Sequence, residues 1–357
     1  AKELVFHLVL NIRRRLLNSY FPVLSPPIGL GCSFKGWPPC VGVPVYRSLV
    51  PLKPPHGYIF HLEPDTAGGN PARIFCIRVG LQCTCNTEQQ VKGMPCFLHP
   101  PEEETMGEQA HRLFCIRRNQ AHRDLQTLCI DSYLNVEKTV SWFDENVEAV
   151  RRVLPQASQC WLKILHSRHC CTYQLGRGRQ IIVATQIIFG VQQLSSDISM
   201  SSQTSGNPPA LSSKWIVTCA VAEAKFFKHM ARLAPTKCVH LKCLQAFAHL
   251  LEGSSLSIYA FKTVVMHLLT TAGPSGWDTK DFVPRTVEIM QYMYRCLEDK
   301  CLNHFFLGNE NMPCNIILPP EYQMAEPLNL FQHLRHDSNA HARAMHELRE
   351  LRLWLER

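Results

Sequence analysis

One segment, "LSSDISMSSQTSGNPPALSS" at residues 194–213, divides the chain into two halves with different patterns. Serine, glycine and proline dominate it, and no apolar residue recurs at the period of a helix or a strand. Short strand-like segments mix with helical ones before it, whereas nearly everything after it has helical periodicity. The sequence therefore predicts an α+β protein, with a mixed α/β core at 1–193, a loop at 194–213 and a helical C-terminal lobe at 214–357.

The first half begins with a helical pattern at residues 2–19, which ends before Pro22. A second helix is predicted at 121–153. Two long strands are predicted around a turn at 176–178, and shorter strands at 45–52, 57–63 and 73–85. The second half is predicted to hold helices at 220–234, 238–251, 257–271, 283–303 and 327–357. In the last of these, one face carries Met345, Leu348, Leu351 and Leu355, a pattern typical of a helix packed on a core.

The stretch "GLGCSFKGWPPCVGVPVYRSLVPL", residues 29–52, predicts a Gly-Ser turn, a loop and a strand. Such a turn can present phosphate to a strand whose carboxylates hold two divalent metals, which lie about 3.5–4 Å apart in two-metal enzymes. The chain has no Asp or Glu between Glu3 and Glu63, so neither this strand nor the next offers hard oxygen ligands there. Metal chemistry at this place is not expected.

The sequence argues against several other catalytic, nucleotide-binding and metal sites, because the required residues or their spacing are missing. Lys35 occupies the last glycine place of a nucleophile elbow, and no Walker loop or dinucleotide fingerprint occurs. His166, His169, Cys170 and Cys171 are close in sequence, but on a strand they would alternate between faces, which argues against zinc. The net charge of +8 permits anionic partners without requiring them, and no basic surface interleaved with aromatics indicates nucleic acid.

The seventeen cysteines include no CxxC pair, and many lie in apolar runs, which favours reduced thiols. No apolar run reaches the roughly 18 residues that span a bilayer. The chain does not start with Met, so Ala1 is expected to lie inside a longer protein whose membrane segment could precede it.

Several long motifs carry a family resemblance across nearly the whole chain. They are "GLGCSFKGW", "YRSLVPLKPP", "CFLHPPEEE", "IIFGVQQLSSDISMSSQ", "AVAEAKFFKHMARLAP", "YAFKTVVMHLLTT" and "LNHFFLGNENMPCNIILPP". In this order they resemble the inositol trisphosphate receptor-interacting protein-like family, most closely the bird-type relatives of its like-1 branch. The resemblance implies the male-abnormal (Mab) superfamily of nucleotidyltransferase-like folds, which includes cyclic GMP-AMP synthase.

The resemblance also implies where functional residues would fall. Gly31 and Ser33 match the phosphate-binding turn, although Cys32 separates them. The three carboxylates of the enzymes would fall near Val43, at Val45 and at Gly80, and all three are missing. Lys242 and Tyr259 match positions that line the nucleotide site of the synthase, whose zinc-binding thumb has no counterpart.

These features lead us to expect a pseudo-nucleotidyltransferase with no catalytic residues, no metal and no cofactor. By resemblance, it would be a single-pass membrane protein with this domain on the cytoplasmic side, would not bind nucleic acid, and would modulate calcium release through the inositol trisphosphate receptor or another membrane partner. One alternative is a metal-independent sensor of a nucleotide or inositol phosphate that uses Gly31, Ser33, Lys242 and Tyr259. Another is an active enzyme with acids relocated to Glu63, Asp65 or Asp197.

Overall fold

The computed structural model describes residues 1–33, 45–65, 74–83, 97–98, 108–156, 159–202, 213–233, 239–251, 254–309 and 312–355. The chain forms two compact units. The first comprises Ala1–Gln193 and Ile198–Ala220, and the second comprises Leu194–Asp197 and Val221–Arg357. The first is mixed α/β and the second is helical, so the predicted α+β class is confirmed.

The first unit contains three helices and twelve strands among the residues that the structure describes. The helices are α1 (Lys2–Arg15), α2 (Glu108–Gln126) and α3 (Val136–Val150). The strands are β1 (Val23–Leu24), β2 (Ile28–Ser33), β3 (Val45–Lys53), β4 (Tyr58–Pro64), β5 (Ile74–Leu81), β6 (Cys129–Ile130), β7 (Tyr133–Leu134), β8 (Trp161–Leu165), β9 (Cys171–Arg177), β10 (Gln180–Gln192), β11 (Ser199–Ser201) and β12 (Lys214–Thr218).

Strand β10 is the long central strand of this sheet. It runs parallel to β3, with Ala184 opposite Val45, and antiparallel to β9. Its sequence is rich in isoleucine and valine, residues that favour extended backbone and pack well on a pleated surface. Helix α3 covers the sheet, and the Phe143 ring meets the Phe189 ring of β10 edge to face at 5.1 Å. The centre of the first unit is therefore an apolar core around β3 and β10.

Two element predictions in the first unit are wrong. The single helix predicted at 121–153 is two helices, because a hairpin of β6 and β7 turns through Asp131 and Ser132, both with positive φ. The predicted pair of long strands is three strands, β8 to β10. The turn between the last two is at Gly178, whose φ of 59° suits a residue without a side chain.

The second unit holds seven described helices. They are α4 (Ala220–Leu233), α5 (His240–Leu250), α6 (Ile258–Ala272), α7 (Phe282–Glu298), α8 (Pro320–Gln323), α9 (Gln332–His336) and α10 (Ser338–Leu355). Its core contains a cluster of rings in which Phe305 lies 4.8 Å from Phe226 and 5.1 Å from Phe306. In α10, Met345 and Leu348 are buried whereas Leu351 and Leu355 are half-buried, so the predicted packing face is confirmed for the first half of the helix.

The boundary between the units differs from the prediction in two places. Residues 214–220 belong to the first unit, because β12 pairs with β5 and β11 and buries Trp215 completely. The serine-rich segment is not loop throughout, since Ser199–Ser201 forms β11. Its first four residues, Leu194–Asp197, pack with the helical unit. The serine-rich composition gave no sign of this strand, because the strand is buried by its neighbours in the sheet and not by an apolar pattern of its own.

Candidate functional site

The predicted Gly-Ser turn is part of a strand. Gly31 lies opposite Arg47 and Ser33 lies opposite Val45, at the end of β2, with an irregularity in the register between Gly29 and Gly31. The turn prediction is therefore wrong for these residues, since sheet pairing with β3 extends their backbone. Their backbone stands beside the strand on which a nucleotidyltransferase would carry its carboxylates.

The carboxylate position at Val45 is apolar and buried. Val45 is 3% exposed, and its strand β3 is paired on one side with β2 and on the other with β10. A buried carboxylate without a partner is strongly disfavoured, whereas valine suits this place in the core. Val43, the other predicted position on this strand, lies outside the described residues. Val45 thus supplies packing where an enzyme would supply a metal ligand.

At the third carboxylate position, Gly80, a histidine ring takes up the space that a side chain would need. Gly80 lies on β5 opposite Ile59 of β4. A Cβ atom added at Gly80 would lie 2.8 Å from Nε2 of His61, closer than real Cβ atoms approach. Any side chain here, a carboxylate included, would require the His61 ring to move. The pairing of β4 with β5 is therefore built around a residue without a side chain at this position, and β10, β11 and β12 separate β5 from β3 in the sheet.

The acids proposed for a relocated active site each have an ion-pair partner. Glu63 pairs with Arg78 and accepts a 2.8 Å hydrogen bond from the Tyr133 hydroxyl, and these hydrogen bonds, that from Arg78 first, lower the pKa of Glu63. In the same unit, a carboxylate oxygen of Asp65 lies 2.5 Å from Nζ of Lys214. These pairs balance the charge that a metal would otherwise neutralise.

Asp197, the third of these acids, is buried in the helical unit. Its carboxylate lies 2.6 Å from Nζ of Lys225 and accepts a 2.9 Å hydrogen bond from the backbone N–H of Ile317. The backbone N–H of Asp197 in turn donates to the carbonyl of Ile317 at 2.7 Å. Every oxygen of the carboxylate is thus engaged in holding the segment 194–197 on the helices, which is a structural use of the acid.

The predicted nucleotide-lining residues of the helical unit have different surroundings. Lys242 is exposed on α5. Tyr259 is half-buried in the first turn of α6, with its hydroxyl oxygen 2.7 Å from Nε2 of His304. Gly31 and Ser33 belong to the first unit, whereas Lys242 and Tyr259 belong to the second. Binding by these four residues together stays a prediction.

The sequence His166 to Cys171 is not arranged as a ligand cluster. Cys170 and Cys171 are buried, and burial strongly raises the pKa of Cys171. His166 is exposed and lies 3.6 Å from the buried carboxylate of Asp144, which accepts a 2.6 Å hydrogen bond from the Tyr173 hydroxyl. Within the described residues, no group of three or more His, Cys, Asp or Glu side chains is placed to hold a metal ion.

Sequence reasoning missed a pocket that lies entirely within the helical unit, which we call the α6–α10 pocket. Its volume is about 270 Å³. It is floored by buried apolar side chains from several helices and the segment before α9: Leu256, Ala260, Leu297, Phe331, Leu334 and Ala344. Tyr259 lines it, together with Ser257, His333 and Arg343 at the exposed rim. No motif or spacing indicated it, because its lining comes from positions up to 89 residues apart, Ser255 to Ala344.

A buried histidine in the same unit makes its stability depend on pH. His240 is 1% exposed and stacks on Phe227 with 5.6 Å between ring centroids. Burial lowers the pKa of His240 from 6.5 to about 4. The unfolded chain therefore binds the proton first as the pH falls below 6.5, and stability is lost between that pH and about 4.

We expect acidification from pH 7 to pH 5 to remove about 2 kcal/mol of unfolding free energy through His240. His240→Phe keeps a ring on Phe227 and should shrink this loss by the same amount, as measured by urea denaturation at the two pH values. His346→Phe is the matched control, since His346 is exposed on α10 of the same unit. An unchanged pH dependence in His240→Phe would exclude His240 as the cause.

The fold and the site define a class of protein. The mixed sheet and the helical unit form a nucleotidyltransferase-like α+β fold, and residues 236–316 match the Mab-21 protein HhH/H2TH-like domain. Most of the chain is similar to the inositol 1,4,5-trisphosphate receptor-interacting proteins and their like-1 relatives, which confirms the resemblance carried by its motifs.

The similarity extends over most of the chain. Inositol 1,4,5-trisphosphate receptor-interacting protein-like 1 of Rattus norvegicus is 30% identical over 340 residues, which cover 92% of this chain and 60% of the relative. The Mus musculus protein of the same name has the same identity and coverage. Inositol 1,4,5-trisphosphate receptor-interacting protein of Mus musculus is 26% identical over 352 residues, 85% of this chain and 57% of the relative. The chain thus spans about 60% of the length of these relatives.

Among the described residues, every helix is too short or too polar to cross a lipid bilayer.

Proposed function

We propose that this protein is a non-catalytic, nucleotidyltransferase-like interaction protein that binds the inositol trisphosphate receptor and modulates calcium release. The observation that carries the proposal is the similarity over 92% of the chain to a like-1 receptor-interacting protein. The names of these relatives record receptor interaction. An interaction role fits a fold whose catalytic positions have changed, because function depends on particular sites rather than on the fold itself.

The environments of Val45 and Gly80 support the non-catalytic part. Phosphoryl transfer depends on electrostatic stabilisation of the transferring group, which metal-binding carboxylates supply in the enzymes. Here one of their positions is a core valine and another is a glycine beside His61. The three acids considered for a relocated active site, Glu63, Asp65 and Asp197, form ion pairs with Arg78, Lys214 and Lys225 respectively.

Membrane association is the remaining part of the proposal. A segment upstream of Ala1 would anchor the protein, with this domain on the cytoplasmic side, where thiols stay reduced. The buried, unbridged thiols of Cys170 and Cys171 suit such a compartment. Expression of the full-length protein with protease digestion of intact and permeabilised vesicles tests the orientation. Protection of this domain in intact microsomal vesicles would contradict it.

The receptor interaction is tested with purified components. Detergent-solubilised inositol trisphosphate receptor is titrated onto the immobilised chain, and calcium release from receptor-bearing vesicles is measured with and without the chain. We expect saturable binding and a shifted dependence of release on inositol trisphosphate. A chain denatured before immobilisation provides the control. Absence of saturable receptor binding by the folded chain would contradict the proposal.

The sensor alternative uses Gly31, Ser33, Lys242 and Tyr259, and of these Lys242 is exposed on α5 without an ion pair to any described residue. If the protein is an interaction protein and not a sensor, ATP, GTP and inositol phosphates should leave its thermal unfolding temperature unchanged, with or without Mn²⁺. A bound ligand at a hundred times its dissociation constant would add about 2.7 kcal/mol. A shift without metal that Lys242→Glu abolishes would establish the sensor, and a shift that needs Mn²⁺ would revive the enzyme.

A further inference from the structure

The α6–α10 pocket combines an apolar floor with an open polar rim. All six of its floor residues are at most 6% exposed, so the floor is fixed by the core of the helical unit. The rim residues Ser257, His333 and Arg343 are exposed. A rigid apolar floor with polar groups at the mouth is the usual arrangement of a site that receives an apolar group carrying a polar or charged neighbour.

The volume of the pocket limits its occupant. Small-molecule sites measure about 300–1,000 Å³, and this pocket, at about 270 Å³, falls below that range. It is large enough for one bulky apolar side chain, with the rest of the ligand outside. In protein interfaces, such single buried anchors, often aromatic, provide much of the binding energy. The dimensions therefore favour a peptide segment over a whole cofactor.

The charge of the rim residues indicates which residues should lie next to the apolar side chain in that peptide. Arg343 has no hydrogen bond or ion pair with any other described residue, and His333 adds a second basic group to the rim. The acid nearest in sequence on the same helix face, Glu347, is already engaged. One of its oxygens accepts hydrogen bonds from the Ser254 hydroxyl at 2.7 Å and from the backbone N–H of Ser255 at 2.8 Å. The rim thus presents a guanidinium, that of Arg343, without an ion-pair partner among the described residues.

We propose that the α6–α10 pocket is a docking site for an acidic peptide segment of a protein partner. One large apolar side chain of the segment enters between α6, α9 and α10, and an adjacent carboxylate pairs with Arg343. This inference rests on the proposed interaction function and gives that function a place on the helical unit.

Three pentapeptides test the site by saturation-transfer NMR titration against the whole chain: acetyl-Ser-Trp-Glu-Glu-Ser-amide, its Gln-Gln counterpart, and its counterpart with Gly for Trp. We expect the first to bind saturably, the neutral peptide to bind about fivefold more weakly, and the peptide without the anchor to show no saturation. Decanoate is the fourth probe, because a fatty carboxylate offers the same two chemistries without a peptide.

Two variants, each with a matched control, locate the binding. Arg343→Glu should remove the preference for the acidic peptide, whereas Arg349→Glu, on the same helix but outside the pocket lining, should keep it. Ala340→Phe should fill the mouth of the pocket and weaken all peptides, whereas Ala342→Phe, exposed and outside the lining, should not. Thermal unfolding of each variant confirms that it is folded.

The outcomes separate this inference from the function on which it rests. Binding of decanoate without binding of the peptides, or equal binding by Arg343→Glu, would overturn the docking site. Receptor capture that persists in folded Arg343→Glu and Ala340→Phe would do the same while leaving the proposed function standing. Peptide binding with the expected variant pattern, together with failed receptor capture, would support the site and reject the receptor as its partner.

Discussion

Val45→Asp is expected to lower the free energy of unfolding by about 3–5 kcal/mol, because it places an unpaired charge in the core of the first unit. Val45 is 3% exposed, and both neighbouring strands, β2 and β10, are hydrogen-bonded to its own. In a catalytic nucleotidyltransferase, the corresponding carboxylate faces a metal. Restoring the acid here would not restore that environment, since Gly80 offers no carboxylate and lies on β5, which β10, β11 and β12 separate from β3 in the sheet.

Urea denaturation of Val45→Asp, Val45→Ala and Val45→Thr measures this cost. The alanine variant controls for lost packing and should cost about 1–2 kcal/mol, and the threonine variant keeps the shape of valine while adding one polar group. Burial raises the pKa of the introduced carboxyl, so its penalty is full at neutral pH and shrinks as the pH falls toward about 4. A penalty below about 1 kcal/mol for aspartate, or one that grows on acidification, would show that the position is open to solvent and would weaken the pseudoenzyme interpretation.

The class of fold was predictable because it depends on periodicity over long segments. Alternation in β3 and β4 and the 3.6-residue repeat in α4 to α7 are local properties of the chain, and the structure places these elements close to where the patterns predict them. The hairpin at residues 129–134 was not predictable in the same way. Its two strands have two residues each, too few to interrupt a helical pattern, and pairing of Tyr133 with Arg78 on β5 stabilises it from outside.

The candidate site was only partly predictable. A missing charge is visible in a sequence, so the absence of acids between Glu3 and Glu63 was evident. The role of an acid that is present depends on ion-pair partners that are distant in the sequence. Asp65 pairs with Lys214, Asp197 pairs with Lys225, and the buried Glu223 pairs with Lys262. Pairs separated by up to 149 residues leave no local pattern, and neither does the lining of the α6–α10 pocket.

Asp197→Ala is expected to destabilise the helical unit by about 3 kcal/mol, the second large effect. The carboxylate is 4% exposed and joins Lys225 to the backbone N–H of Ile317, so its removal leaves a cation without its partner and a backbone donor without its acceptor. Breaking a buried pair on one side typically costs more than the pair contributes, because the group left behind has lost its water as well. Lys225 is 44% exposed and can recover part of its hydration, which places the estimate at the lower end of that range.

The same variant separates a structural acid from a catalytic one. Asp197→Asn keeps an acceptor for Ile317 and should lose less stability than the alanine variant, and Lys225→Met combined with Asp197→Ala should cost less than the sum of the single changes. Asp299→Ala, at an exposed site at the end of α7, is the matched control and should stay within about 0.5 kcal/mol of the parent. Because the acid holds Leu194–Asp197 on the helices, limited proteolysis of Asp197→Ala should cut within this segment first. A variant as stable as the parent would mean that the ion pair is dispensable, and Asp197 would again be a candidate for chemistry.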